Sequence, residues 1–561
     1  MAYGVPREKL LERWVALKNE RSTWDSHWRE ISDYVLPRTG RFFTKKVNDG
    51  GKRHNNIYDN TATRSMRVLA AGLMSGMTSP ARPWFRLATQ DEDLMQADSV
   101  KLWLHNVTRM MLNVFQRSNT YRALHTMYEE LAVYGTAATV VMSDFDTVVH
   151  HQPLTVGEYA IATDARGAVN ALYREFEMTV GQIIDEFGLE NASRHVKNSY
   201  DRGNLDTWVT VVHVIEPRTD RDLKKKDSKN MPYRSCYFEY AGDDDVLLRE
   251  SGYEFFPALC PRWSVSGGDI YGLSPAMEAL GDIKQLQHEQ LRKAQGIDYQ
   301  TKPPMQVPTA LKNQGVNALP GGITYVDTAV QNGGIRTAFE VNLNLNHLLE
   351  DINDVRNRIS SSFYSDLFLM LANGDLGRMT ATEIAERHEE KLLMLGPVLE
   401  RLHNELLDPM IELTFNRMMM AGLVPPPPQE MAEQDINVEF VSMLSQAQRA
   451  VGTNSVDRFV GNMGAIAQMK PEVLDKFNAD NWADMYSDML GVDPNLITPD
   501  DEVAAIRQQR AEAQRAAQQA QQINQSADSM QKLGRVPTNN NRSNAANDVI
   551  SMFSGYQTNT V

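Results

Sequence analysis

Two amphipathic helices flanking a non-helical segment constrain this chain more than any other feature. Leu280, Ile283, Leu286, Leu291, Ala294 and Ile297 recur at helical spacing. Ser274 supplies an N-cap, Pro275 takes the first helical position, and Lys302-Pro303-Pro304 ends the run. Beyond residues 303–342, which are rich in Gly, Pro and Asn, a second stripe follows: Leu345, Leu348, Leu349, Ile352, Val355, Ile359 and Phe363. About 25 helical residues make a rod of roughly 40 Å. A stalk of two such rods with a compact head is unusual in a free-standing enzyme, and it predicts an element that packs against copies of itself.

The flanking sequence divides by its periodicity. Leu10, Leu11, Trp14, Leu17, Trp24, Trp28, Ile31 and Val35 predict one long helix closed by Pro37, and residues 61–77 and 97–134 predict more helix. Between Gly135 and Val265 the pattern changes to short β-branched or aromatic runs separated by turn signals such as Asp164-Ala165-Arg166-Gly167, which predicts a β-rich insertion. Past the second rod, Thr380-Ala381-Thr382-Glu383 has the form of a capping box. The helix it opens runs to about Ala421, with a kink expected at Pro397, which donates no backbone hydrogen bond. Residues 430–500 read as helical and separately packed, residues 500–525 as an Ala/Gln/Arg helix, and the Asn-rich stretch after Gly534 as disordered.

Charge and cysteine content narrow the function. The 57 Lys and Arg against 72 Asp and Glu give −15, a balance that argues against coating nucleic acid, which needs a basic surface. Cys236 and Cys260 form no CxxC pair, in keeping with a reducing compartment and no zinc cluster. No apolar run is long enough for a transmembrane helix and the N-terminus has no secretory signal, so the chain reads as soluble and intracellular, with no membrane partner.

Catalytic patterns fail one after another. Neither GxxxxGK[ST] nor GxGxxG occurs, and Gly267-Gly268-Asp269-Ile270-Tyr271-Gly272 has the wrong spacing and reads as a turn. His388-Glu389-Glu390 opens like a zinc-protease helix, but position 392 is Leu, leaving a solvated helical face. Gly272-Leu273-Ser274-Pro275-Ala276 lacks the last glycine of a nucleophile elbow and is better explained as a helix start. Asp243-Asp244-Asp245 reads as a hairpin tip rather than a metal site. No catalytic residue, metal ligand or cofactor site is expected. Three basic features remain, each to be weighed against a plain solvated loop: the segment from Pro37 to His54, Lys224-Lys225-Lys226, and Arg378 in a glycine loop.

A series of short motifs resembles the head-to-tail connector, or portal, proteins of podovirus-type bacteriophages. They are Ile57-Tyr58-Asp59-Asn60-Thr61-Ala62-Thr63, Leu69-Ala70-Ala71-Gly72-Leu73, Thr78-Ser79-Pro80-Ala81-Arg82-Pro83-Trp84-Phe85 and Tyr134-Gly135-Thr136-Ala137. Further along come Pro261-Arg262-Trp263, Tyr271 to Met277, Asp282-Ile283-Lys284, Leu319-Pro320-Gly321-Gly322, Met379 to Ile384 and Leu406-Leu407-Asp408-Pro409. Their order holds over residues 5–430; Leu273 stands where the family pattern leads one to expect Arg or Lys, and the Gln-rich end matches no part of it.

The resemblance implies an α+β, predominantly α portal fold. Residues 1–274 would form a wing with its β-rich part at 135–265, 275–302 and 343–366 two long stem helices, and 303–342 a small α/β clip. Residues 367–379 would be a tunnel loop, 380–428 a kinked wing helix, 429–510 a helical crown, and 511–561 a Gln-rich helix with a flexible tail. It implies a ring of about twelve copies at one capsid vertex of the virion, with double-stranded DNA in the channel. Terminase large subunit and tail adaptor would meet the clip, and capsid and scaffolding proteins the wing. Arg378, Lys302 and Lys312 are the expected DNA-channel contacts, and Ser274, Pro275, Thr380, Glu383 and Pro397 the structural caps and kink. The rival readings are a nucleic-acid-processing enzyme with an unrecognised active site, and a capsid shell or scaffolding protein.

Overall fold

The computed structural model describes residues 7–42, 51, 56–89, 97–225, 227–242, 246–302, 304–306, 336–337, 346–373, 394–431, 436–440, 459–467, 470, 472, 476–490, 498 and 500–533. The chain forms two compact units: Met1–Met95 with Trp103–Asp475, and Gln96–Leu102 with Lys476–Val561.

Helices α1 (Arg7–Tyr34) and α2 (Thr61–Met77) and strand β1 (Phe85–Thr89) come first in the chain, followed by α3 (Asp98–Arg117) and α4 (Thr120–Tyr134). Strands β2 (Ala138–Asp144) and β3 (Val148–Leu154) pair as a hairpin. Next come β4 (Tyr159–Thr163), β5 (Val169–Thr179), α5 (Val180–Phe187), α6 (Arg194–Asp201), β6 (Trp208–Pro217), β7 (Tyr233–Glu239), β8 (Arg249–Tyr253) and β9 (Ala258–Leu259). Strands β4-β5-β6-β7-β8 form an antiparallel five-stranded sheet in chain order, and β9 joins β2 on the edge away from β3. Strands β2 to β9 thus occupy the stretch whose alternation predicts β-structure.

Period-2 alternation gives the large sheet two apolar faces. Val212 and Val214 of β6 and Phe238 of β7 point to one side, where Leu10, Trp14 and Leu17 of α1 cover them. Val211 and Tyr237 point to the other, under Val180, Ile183 and Phe187 of α5 and Val196 of α6. Each fully buried apolar side chain of this size contributes about 1.5–3 kcal/mol relative to exposure. Helix α5 starts on a complete capping box, Thr179 with Gln182.

The helical hairpin follows: α7 (Pro275–Glu278), α8 (Leu280–Thr301), the two-residue strands β10 (Met305–Gln306) and β11 (Arg336–Thr337), then α9 (Asn346–Ser362) and α10 (Ser365–Asn373). Residues 367–373, read from sequence as the start of a loop, are helical. The Leu-Phe-Leu-Met-Leu run is a good helix former, and Leu367 and Phe368 are buried. Tyr364, at φ 54°, breaks α9 from α10.

Residues 394–402 are helical (α11), His403–Leu407 form a π-helical turn, and Asp408–Met420 continues as α12. Pro397 lies within α11, and a departure from α-geometry occurs further on, at the π turn. There the Asp408 N–H reaches back to the His403 carbonyl, ahead of Pro409, which has no N–H to give. Residues 436–440, in a stretch read as helical, form strand β12, antiparallel to β1. Trp84 stacks on Phe440, and Arg86 meets Glu439 at 2.7 Å. Helix α13 covers residues 459–467. In the second unit lie α14 (Ala479–Leu490) and α15 (Asp500–Leu533), and Arg507 pairs with Asp480 at 2.6 Å.

Candidate functional site

Among the described residues, several of the motifs that carry the family resemblance come together at the base of the α8–α9 hairpin. Gly135 and Gly272 cross there so closely that a Cβ on either would overlap the other's carbonyl, and Gly135 has φ +73°. The crossing is tied by Thr136, whose Oγ1 accepts the Gly272 N–H at 2.8 Å, and by the Trp263 N–H on the Gly135 carbonyl at 2.8 Å. Ser274 accepts the Met277 N–H at 3.0 Å and donates to the Val133 carbonyl at 2.8 Å, with Pro275 in the first turn of α7. One hydroxyl therefore starts the helix and fastens it to α4.

Arg262 and Glu405 form a second tie. Glu405 sits in the π turn, where the changed helical phase directs its carboxylate at Arg262. It accepts the Arg262 backbone N–H at 2.9 Å, Nε at 3.2 Å and Nη2 at 2.7 Å.

Asp59 makes the third. Its Oδ1 accepts the Thr61 N–H at 2.9 Å and hydroxyl at 2.5 Å, and its Oδ2 accepts Arg356 Nη2 at 2.7 Å and Gln290 Nε2 at 3.0 Å. The buried Gln287 amide accepts the Tyr58 and Asp59 N–H groups at 2.6 and 2.8 Å and donates to the Asp59 carbonyl at 2.8 Å. Burial opposes ionisation of Asp59, but the hydrogen bonds from Thr61 and Arg356 outweigh it and hold the carboxyl below its ordinary range. A cleft of about 760 Å³ opens beside this network, lined by Tyr58, Arg64, Ser65, Ser360, Asp366 and Leu369 among others.

Four further buried titratable groups, His213, His151, Cys236 and Cys260, are shifted by burial away from their charged forms. His213 accepts Arg174 Nε at Nδ1 (3.1 Å), so its proton sits on Nε2 and faces Ser235 Oγ at 3.0 Å. That is the wrong polarity for a base activating a serine. Burial lowers its pKa well below the usual value, and lowers His151 to about 4. The Cys236 thiol is pushed up to about 12 by burial and Cys260 higher still, far from the thiolate that reactivity requires. Among the described residues no group of three His, Cys, Asp or Glu side chains is placed to hold a metal, and no helix is long and apolar enough to cross a membrane.

Of the expected channel contacts, Lys302 closes α8 with an exposed side chain, whereas Arg378 and Lys312 lie outside the described residues, as do Thr380, Glu383 and Asp243-Asp244-Asp245. Arg38 is exposed, Arg41 pairs with Glu158 at 2.9 Å, and Lys224 and Lys225 are exposed. Sequence reading assigned no role to Asp59, Gln287, Arg262 or Glu405. The only signal was the position of three of them inside or beside the resemblance motifs.

Comparison with known proteins agrees with the motifs. A family model described as "Bacteriophage head to tail connecting protein" matches residues 7–497. A "Probable portal protein" of Bordetella phage BPP-1 is 64% identical over 99% of this chain and 100% of its own length. A "Portal protein" of Salmonella phage epsilon15 is 47% identical over 91% of this chain and 92% of its own. Among solved structures, a chain from the "Neck of empty GTA particle computed with C6 symmetry" aligns with a TM-score of 0.37 at 12% identity, covering 78% of this chain and 91% of that one.

Proposed function

The chain belongs to the bacteriophage head to tail connecting protein family, and on that premise we propose that it is the portal of a tailed phage. Copies close into a ring of about twelve at one vertex of the capsid. Double-stranded DNA passes inward through the ring, driven by a separate terminase motor, and outward at ejection, while tail components dock below. The observation that carries this reading is full-length likeness: 64% identity to a portal relative across 99% of this chain and all of that one. In this reading the chain is a structural connector, and the ATPase is the motor's.

The hairpin 275–302 and 343–366 serves as the stem, residues 303–342 as the clip that meets terminase and then the tail adaptor, and the sheet-bearing N-terminal part as the wing facing capsid and scaffolding proteins. Residues 367–379 line the channel, 380–428 cross the wing, 429–510 form the crown, and 511–561 the Gln-rich end. A net charge of −15 per subunit suits a conduit for a polyanion. Continuous phosphate contacts would trap the DNA, whereas a mostly acidic wall with few cations lets it slide. Arg378, Lys302 and Lys312 are those few cations.

Negative-stain imaging of the purified protein tests the ring. Particles with a central hole support it. Dispersed compact particles under several assembly conditions point to an enzyme, and shells or transient rods to a capsid or scaffolding protein. Arg378→Ala is expected to alter DNA retention or packaging with ring assembly intact, and unchanged packaging and retention would remove Arg378 from the channel contacts.

A further inference from the structure

The seam between α8 and α9 changes character along its length. Near the base, Asp282 of α8 pairs with Arg358 of α9 at 3.3 Å, and Arg358 also lies 3.8 Å from Asp354, one turn earlier on its own helix. Two turns further along α8 comes Glu289, 9% exposed, with Asp351 of α9 within hydrogen-bonding reach of its carboxyl. Gln285 donates to Glu289 Oε1 at 2.6 Å. The other oxygen, Oε2, is buried and receives no hydrogen bond. Lys293 stands one turn beyond Glu289, yet among the described residues no lysine or arginine forms an ion pair with Glu289 or Asp351.

Two ionised carboxylates are both acceptors, so contact between them calls for a positive centre in the gap. Among the described residues the seam sets Asp282, Glu289, Asp351 and Asp354 against the guanidinium of Arg358, which is engaged at the other end. Withdrawing a carboxylate oxygen from water without giving it a donor is costly. Asp351 is exposed, so the gap opens to solvent on one side. A hard, partly hydrated cation suits this arrangement. Magnesium is commonly held by one or two carboxylates and keeps several of its waters, and oxygen ligands select magnesium or calcium over the softer metals.

We propose that Glu289 and Asp351 clasp a hydrated divalent cation, magnesium in the first instance, between the two helices of the hairpin. The ion places positive charge on the buried Oε2 and bridges α8 to α9. Its position is just beyond the Asp59 network, on the way to the outer half of α8, where Ile297 and Tyr299 are exposed. Because the clasped hairpin binds the ion and a splayed one does not, the rigidity of the hairpin is linked to the free concentration of the ion. The inference uses residues of one chain and stands whether or not copies assemble into a ring.

Hydrogen exchange on the full chain tests it, at the amides of 286–293 and 350–357, in magnesium chloride and in sodium chloride of equal ionic strength. For a dissociation constant of about 1 mM, about 10 mM magnesium should raise protection there about tenfold. Glu289→Gln and Asp351→Asn should each abolish the response. Manganese(II), counted by electron paramagnetic resonance, should bind with one ion fewer per chain in either variant. Asp351 is exposed, so its variant keeps the test open should Glu289→Gln fail to fold. Equal protection in the two salts, an unaltered magnesium response in Asp351→Asn, or an unaltered manganese count overturns the proposal. So does full protection without any metal that disappears only as the pH rises, since a proton shared between the two carboxyls would then fill the gap instead.

Discussion

Substituting Asp59 with Ala tests whether one carboxylate holds the base of the hairpin. Asp59 is 8% exposed and accepts five hydrogen bonds, two from Thr61, two from Arg356 and one from Gln290. A hydrogen bond to a charged group contributes about 1.5–3 kcal/mol when buried. The Arg356 side chain is 41% exposed and regains water once released, so its pair is worth nearer the surface value of about 0.5–1 kcal/mol. Two stranded Thr61 donors beside an open cleft are partly rehydrated as well. The net expected loss is about 2–4 kcal/mol, concentrated where α8 and α9 meet the 57–61 segment.

Hydrogen exchange on the assembled protein reads that loss locally, at the amides of 283–290 and 352–359. Asp59→Asn sharpens the test, because it keeps the shape but turns an amide N–H₂ toward either Thr61 or Arg356. It should recover less than half of the lost protection. The sign of the pH dependence is fixed too. The folded carboxyl titrates below its unfolded value of 3.8, so its stabilisation is fully present above that value and is lost as the pH falls through the lower folded one. The deficit of the variant should be constant across neutral pH and vanish only in acid. Unaltered protection in Asp59→Asn, or a deficit that shrinks between pH 5 and 8, would refute the reasoning.

Two further perturbations probe the packing around this base. Glu130 is buried, accepting from the Thr155 hydroxyl at 2.7 Å and the Val156 N–H at 3.4 Å, and burial lifts its pKa to about 8 from 4.5. The folded state then binds the extra proton, so stability falls as pH rises between those values, at up to about 1.4 kcal/mol per pH unit. Glu130→Gln should flatten that slope in melting temperature measured from pH 5 to 9. Gly72 of α2 lies under the Phe368 ring of α10, which a Cβ would overlap. Gly72→Ala should cost about 1–3 kcal/mol by overpacking, and Phe368→Leu in the same chain should restore part of it in denaturant unfolding.

What the sequence reveals about this fold follows the range of the forces involved. The rods, the long first helix and the Ser274 start are legible because the apolar period and the cap are local, within a few turns. The alternating strands β5 to β7 are legible for the same reason. Strand β12 is not, since its partner β1 is about 350 residues away in the chain and pairing of that range leaves no local trace. A signal was present even so: Ile436-Asn437-Val438-Glu439-Phe440 alternates apolar and polar strictly. The π turn is hidden for another reason. Pro409 forbids a backbone bond just past it, and the tertiary contact of Glu405 with Arg262, invisible in the sequence, accompanies the distortion. The network at the hairpin base belongs to the same class. Motif likeness singled out Tyr58 to Thr61, but that Asp59 anchors Arg356 depends on bringing together segments about 300 residues apart.

The hairpin itself carries an argument that no single chain resolves. Helix α9 buries only Ile352, Val355 and Ile359, and α8 beyond Gln290 buries none of its residues. Ile297 and Tyr299 are 39% and 51% exposed at its far end. Helices gain most of their stability from an apolar face packed against something, and among the described residues the outer half of α8 has little to pack against. Its base, by contrast, is tied by Ser274, Gln287, Asp59 and the Arg262–Glu405 pair, more polar fastening than a solvated stalk requires. A rod anchored firmly at one end and, among the described residues, only lightly covered at the other is the form expected of an element that neighbouring copies would cover in the proposed ring.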